Sequence, residues 1–171
     1  MGGILKLPIM EYRAECAEME VAATLTAATG WLDLGLADEA LVEIQSLPAA
    51  HQKQQGVLEL KLHAEMECGL WNAAADTARV LCANHPLEPE YFIQAAFCLH
   101  ETGDTLAACN LLLQGPKALI KRAIFHYNLA CYLCVLGKKS RAASHLQKAI
   151  RMDASLEKEA RSDRDLKGME F

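Results

Sequence analysis

The sequence lacks any uninterrupted apolar run long enough to cross a bilayer, and it has no glycine-rich phosphate loop, no His-Glu-x-x-His pair and no Gly-x-Ser-x-Gly elbow. These absences remove the sequence signals of a membrane span, of nucleotide phosphate binding, of a zinc protease and of a serine hydrolase. Six histidines (His51, His63, His85, His100, His126, His145) are spread along the chain and assemble into no catalytic spacing. A non-enzyme is expected, with no cofactor. A disulfide framework is lacking too. The seven cysteines are an odd number, at positions 16, 68, 82, 98, 109, 131 and 134, and only the last two are closely spaced. That usage fits a reducing compartment, so a cytoplasmic location is expected. The opening "MGGILKLPIMEYR" has a short apolar patch broken by Lys6 and Pro8, which makes neither a signal peptide nor a spanning helix. Lys6 also stands where a myristoylation motif needs Ser or Thr. Residues 1–17 are therefore expected to be a flexible leader and the start of a first helix.

What is present is enough apolar material for a core. The chain has 171 residues, of which 52% are apolar and 23% charged, so one domain can bury a core without disulfides or metal. The net charge of −5 conceals a division: residues 1–110 hold 16 acidic and 5 basic side chains, residues 111–171 hold 6 and 12. Opposite signs in the two halves can steer partners or favour head-to-tail association. Nucleic acid is not an expected partner. The basic part has only Phe125, Tyr127, Tyr132 and Phe171 as aromatics and no recognition motif.

Internal repetition organises the rest. "LDLGLADEAL", "MECGLWNAAA", "HETGDTLAAC" and "CVLGKKSRAA" each place an alanine five residues after a glycine. The glycines are Gly35, Gly69, Gly103 and Gly137, the alanines Ala40, Ala74, Ala108 and Ala142, and each interval is 34 residues. Four residues beyond each alanine stands another apolar residue: Ile44, Ala78, Leu112 and Leu146. A fixed period of this length marks stacked units, none of which buries its apolar face alone. A glycine that adopts the left-handed conformation closes the first helix of each unit. The alanine, one turn into the second helix, lets the two helices approach, and the residue at i+4 fills the next gap. "PLEP" at 86–89 ends one helix and begins another, with Pro89 suited to a first turn. Helical periodicity runs throughout, and no stretch reads as a strand.

With these positions in place, the sequence resembles the tetratricopeptide repeat family. The fourth unit carries Leu129, Ala130, Gly137, Ala142, Leu146 and Ala149 at the family's spacings; the third carries Phe92, Ala96, Gly103, Ala108 and Leu112. The resemblance implies an all-α solenoid of about four helix-turn-helix repeats over residues 18–154, followed by a capping helix and tail over 155–171. Thr24 occupies a position that is usually large and apolar. In the second unit Lys61 and Glu65 fall at apolar positions in strict register, and a one-residue slip would bury Val57, Leu60 and Ala64 instead. In the tail, Ser155 is a candidate cap for a short helix with Leu156 and Ala160 on one side and charges elsewhere. The run Lys138, Lys139 and Arg141 reads as a solvated convex face. His85, before Pro86, reads as a loop residue and His145 as a surface residue.

In the family, first helices line a concave groove that binds a segment of another protein, which is the function the resemblance implies. Positions ten, six and three before each closing glycine form one helical stripe. They are Leu25, Thr29 and Leu32; Glu59, His63 and Met66; Ile93, Phe97 and His100; and Tyr127, Cys131 and Cys134, with Asn128 beside them. The stripe is apolar and aromatic, with acidic neighbours Asp33, Glu67 and Glu101. Members that clamp the carboxylate terminus of heat-shock chaperones use Lys, Arg and Asn, and only Asn128 has that character here. The expected partner is an apolar or amphipathic protein segment, so the chain reads as a scaffold or adaptor. Two alternatives use the same surface: a bacterial secretion-type chaperone that holds an unfolded segment, and a homo-oligomer in which the apolar leader Ile4–Met10 fills a groove. Cys131-x-x-Cys134 does not read as a redox motif, because its first cysteine is in mid-helix, away from the N-terminal dipole that lowers a thiol pKa. As a zinc site it lacks two ligands, the nearest candidates being Cys98 and His100. Both cysteines are expected to pack as small, soft residues, and no metal is expected.

Overall fold

The structure is a computed structural model that describes residues 9–169, with side chains from residue 15. It is all-helical; no strand occurs among the described residues. The chain divides into two compact units, with the boundary between Gly69 and Leu70. The first contains α1 (Ile9–Asp33), α2 (Ala37–Ser46) and α3 (Gln55–Glu67). The second contains α4 (Trp71–Asn84), α5 (Pro89–Glu101), α6 (Thr105–Gln114), α7 (Ala123–Val135), α8 (Lys139–Met152) and α9 (Leu156–Ser162), with 3-10 turns at Lys117–Lys121 and Arg164–Leu166. The two helices that the 34-residue period pairs as the second repeat, α3 and α4, fall on either side of the boundary.

The repeat positions behave as their chemistry requires. Gly35, Gly69, Gly103 and Gly137 all have positive φ, between 68° and 93°. At Gly137 the following amide, Lys138 N–H, reaches back to the Leu133 carbonyl at 2.8 Å while Gly137 N–H bonds the Cys134 carbonyl at 2.9 Å. This double closure satisfies carbonyls at the helix end that would otherwise have no partner. Ala40, Ala74, Ala108 and Ala142 are fully buried, and Ile44, Ala78, Leu112 and Leu146 are at most 1% exposed. Pro89 opens α5 as its first residue. Lys138, Lys139 and Arg141 are exposed, as expected.

Local expectations are refined in three places. In α3, Val57 and Ala64 are buried and Leu60 half-buried, so the slipped register holds, yet Glu65 is buried too, its Oε1 3.5 Å from Lys61 Nζ. Ser155 precedes α9 but does not cap it. Its backbone is already helical, and its amide and hydroxyl both bond Asp153 Oδ1, at 3.0 and 2.7 Å. Asp153 organises that bend. His145 is half-buried rather than on the surface, because its ring meets His126 of α7 across 3.0 Å between Nδ1 atoms. The connection from α6 to α7 adds a feature of its own, a 3-10 turn following Gly115. A Cβ at Gly115 would stand 2.5 Å from Leu119 Cδ1 and 3.0 Å from the Phe92 ring, so a side chain there would require the Leu119 methyl to swing aside and the ring to give.

Candidate functional site

In the first unit, α1 and α3 bound a cleft of about 300 Å³ lined by Leu25, Thr29, Gly56, Glu59, Leu60 and His63. Helical spacing explains the set: residues 25 and 29 share a face of α1, and 56, 59, 60 and 63 share a face of α3. Three predicted residues, Leu25, Thr29 and His63, thus come together. Leu32 instead packs against the unit's core, and Met66 is half-buried outside the cleft. The Thr29 hydroxyl donates to the Leu25 carbonyl of its own helix at 2.7 Å. His63 Nε2 stands 3.7 Å from Glu67. Leu25 and Leu60 give the wall its apolar part and Glu59 adds a carboxylate, and Gly56 leaves it open: a Cβ there would only touch Leu25 Cδ1, at 3.6 Å.

In the second unit, α5 and α7 bound a cleft of the same size, about 300 Å³, lined by Phe97, His100, Glu101, Tyr127, Asn128, Cys131 and Tyr132. Five predicted residues meet here, and Ile93 is buried without lining it. Phe97 is held edge-on to Trp71, with centroids 5.7 Å apart. The remaining wall comes from a segment that the sequence assigns to the capping helix and tail, with no part in the groove: Asp163, Arg164 and Asp165. After α9 the chain turns back, with Asp163 Oδ1 accepting the Asp165 amide at 2.9 Å. Asp163 Oδ2 then accepts from the Tyr127 hydroxyl at 2.7 Å and from the Cys131 thiol at 3.5 Å. Asp165 Oδ2 lies 2.8 Å from His100 Nε2. A carboxylate only accepts, so that nitrogen carries a proton, while His100 Nδ1 meets the Thr105 hydroxyl at 2.9 Å. Arg164 bonds Glu101 at 2.5 Å, and Leu166 is 2% exposed.

This arrangement governs what the cysteines can do. Burial, then the charge of Asp163 and its hydrogen bond, push the Cys131 thiol far above its ordinary range, and burial likewise raises Cys82 to about 11. Neither is poised as a nucleophile. Burial and the bond to Asp163 also hold the Tyr127 phenol protonated. Cys131 Sγ and a carboxylate oxygen from each of Asp163 and Asp165 lie within 4.8 Å of one another, which makes them the candidate metal donors among the described residues. Their protons and lone pairs are already engaged with one another and with Tyr127 and His100, and a cation would require the thiol to ionise. The donor set fits a hydrogen-bonded network better than a metal centre. The Tyr132 hydroxyl is buried beside it with no hydrogen-bond partner among the described residues.

Asp163 and Asp165 were missed by sequence reasoning because charge two residues apart in a short polar tail reads as solvation. The remaining signal is the Asp-x-Asp spacing followed by Leu166, which provides a capping carboxylate and a buried anchor. No helix of the described residues is long and apolar enough to cross a membrane.

A scan of protein-family models and a search of curated proteins gave no match to this sequence. Solved structures do match. "MamA MSR-1 C2" superposes with a TM-score of 0.71 at 14% identity, covering 80% of this chain and 78% of that one. A mutant form of MamA gives 0.68 at 14% identity, covering 78% and 77%. MamA is a tetratricopeptide repeat protein. With the 34-residue pattern of turning glycines and buried alanines, these superpositions give the chain the all-α tetratricopeptide repeat fold.

Proposed function

We propose that the protein is a non-enzymatic interaction scaffold whose first-helix stripe binds a segment of a partner protein. The observation that carries this reading is the open cleft between α1 and α3, where Leu25, Thr29 and His63 converge with Leu60 around the gap that Gly56 leaves. Its floor is apolar and its rim carries Glu59. Residues 1–69 hold eleven acidic side chains against four basic ones. The occupant that fits is an amphipathic segment with an apolar side and basic flanks. Chaperoning of a secretion substrate and self-assembly would use the same stripe; the leader residues 4–8 that self-assembly would insert lie outside the described residues.

The test is to select peptides by display on the immobilised protein and then to titrate them against variants. Gly56→Trp fills the cleft and should weaken the selected peptides by about tenfold or more, with the helical circular-dichroism signal intact. Peptides that ignore Gly56→Trp but lose binding to Lys138→Glu with Lys139→Glu would place the partner on the exposed basic face and overturn the groove reading.

A further inference from the structure

The second-unit cleft differs in holding part of its own chain. Three buried residues on two helices, His100 on α5 and Tyr127 and Cys131 on α7, direct their donor atoms at the two carboxylates of one short segment. Asp163 goes to α7 and Asp165 to α5, so an Asp-x-Asp spacing matches the separation of the two sets of donors. The segment that supplies them is slight. It is a single 3-10 turn whose Arg164 side chain is 71% exposed and whose apolar anchor is Leu166. The cleft of about 300 Å³ remains beside the segment, which forms only one wall of it, and the half-buried ring of Phe97 lines the space.

We propose that this cleft is a receptor for an acidic segment of a partner protein, two carboxylates one residue apart next to an apolar side chain, and that Asp163–Leu166 occupies it in cis until such a partner displaces it. The proposal extends the groove reading to a second, chemically distinct site. Recognition is by neutral or imidazole donors, with no lysine or arginine of the wall reaching the carboxylates of the segment apart from Arg164 itself, 3.6 Å from Asp165 within that segment. A tethered ligand has a high effective concentration, so the cis segment lowers the apparent affinity of any competitor in proportion to the fraction of time it stays docked. A partner gains over it by also filling the space against Phe97.

The experiment uses the full chain and a fluorescent peptide with the chain's own residues 160–169, read by anisotropy. The Asp163→Asn, Asp165→Asn chain, its cis segment released, should bind the peptide about tenfold or more tightly than wild type does. A peptide carrying both asparagines should bind neither, and Tyr127→Phe in the released chain should weaken the parent peptide several-fold, because the phenol is then lost as a donor. Gly56→Trp should leave this signal unchanged, so failure here and failure of the first-unit reading are separable. If the doubly substituted chain loses helical signal, Asp165→Asn alone, which frees the segment from His100 and leaves it held only at α7, should give a gain in peptide affinity in the same direction and smaller, and no gain overturns the proposal. Equal peptide affinity in wild-type and released chains, or equal binding of the asparagine peptide, overturns the proposal. So does a wild-type chain whose mass in light scattering doubles with concentration while the released chain stays monomeric, since the segment would then dock on a second copy.

Discussion

Two clefts of equal size lie between first helices of successive repeats, one in each unit, and they have filled differently. The α1–α3 cleft presents Leu25 and Leu60 and a threonine whose hydroxyl is already bonded to its own helix. Nothing in that wall requires a polar occupant. The α5–α7 cleft presents a phenol, a thiol and an imidazole from residues that are buried. Buried donors are costly when left without acceptors, about 1–3 kcal/mol each, so this cleft draws in carboxylates and the first does not. The same repeat scaffold therefore carries two clefts of different chemistry, set by the hydrogen-bonding capacity of three or four side chains.

The most direct way to break the comparison is to remove its largest asymmetry. Tyr127 is 7% exposed and spans core and cleft, so Tyr127→Ala should cost about 3 kcal/mol or more, while Leu25→Ala, from the half-buried wall, should cost about 1 kcal/mol. Urea unfolding of both variants checks this, and equal costs would mean the second cleft is no more integrated than the first. Next in size is the docking bond itself. Tyr127→Phe and Asp163→Asn should each destabilise by about 1 kcal/mol, and the double variant should cost clearly less than their sum. Additive losses in that cycle would show that the two groups do not act on each other.

A pH series sharpens the picture of the second unit further. His126 Nε2 lies 3.1 Å from the Ile120 carbonyl, which can only accept, so in the neutral ring Nδ1 is left to accept from His145 Nδ1–H. Burial lowers the pKa of both rings below the ordinary 6.5. The unfolded chain then binds more protons than the folded one as pH falls below about 6.5, so stability declines through that window and levels off only below the lowered values. The urea midpoint should fall between about pH 7.5 and about pH 5.5, and His145→Gln should flatten the fall. A midpoint with the same slope in the variant would remove the ring pair as its source. The smallest effect belongs to the first cleft: Gly56→Ala should raise the melting temperature slightly, by about 0.5 kcal/mol of stability, because its Cβ meets only an ordinary contact. A loss would mean that the helix there relies on space the wall does not show.

Much of the fold was legible because the repeat encodes it twice, once in backbone and once in packing. Gly137 must turn left-handed and Ala142 must be small, and both demands follow from local chemistry at fixed spacing. The stripe was legible in part for the same reason: Phe97, on α5, and Tyr127 and Cys131, on α7, each take their place on a helical face whatever lies opposite. What lies opposite was not. Asp163 and Asp165 meet α7 and α5 across more than thirty and sixty residues, and no local rule sends a charged tail back onto a buried phenol. The misreadings of Ser155 and His145 have the same origin. Each was judged by its own helix, and each was claimed by a neighbour, Asp153 in one case and His126 in the other.

In a stacked array each unit contacts only its neighbours, so what fits a unit to itself decides where it can be cut. The Gly115 turn is such a place. Its backbone is ordinary, and what crowds a side chain there is Leu119 on the turn and Phe92 on α5, which meet at the same point. A change at any one of those three positions is felt at the other two. All three lie between residues 89 and 122, within the third 34-residue unit, so a unit spliced from two sources at α6 would set a foreign turn against the Phe92 ring. The fit is internal to the third repeat, so that repeat moves intact only together with the turn at Lys117–Lys121 that follows its second helix.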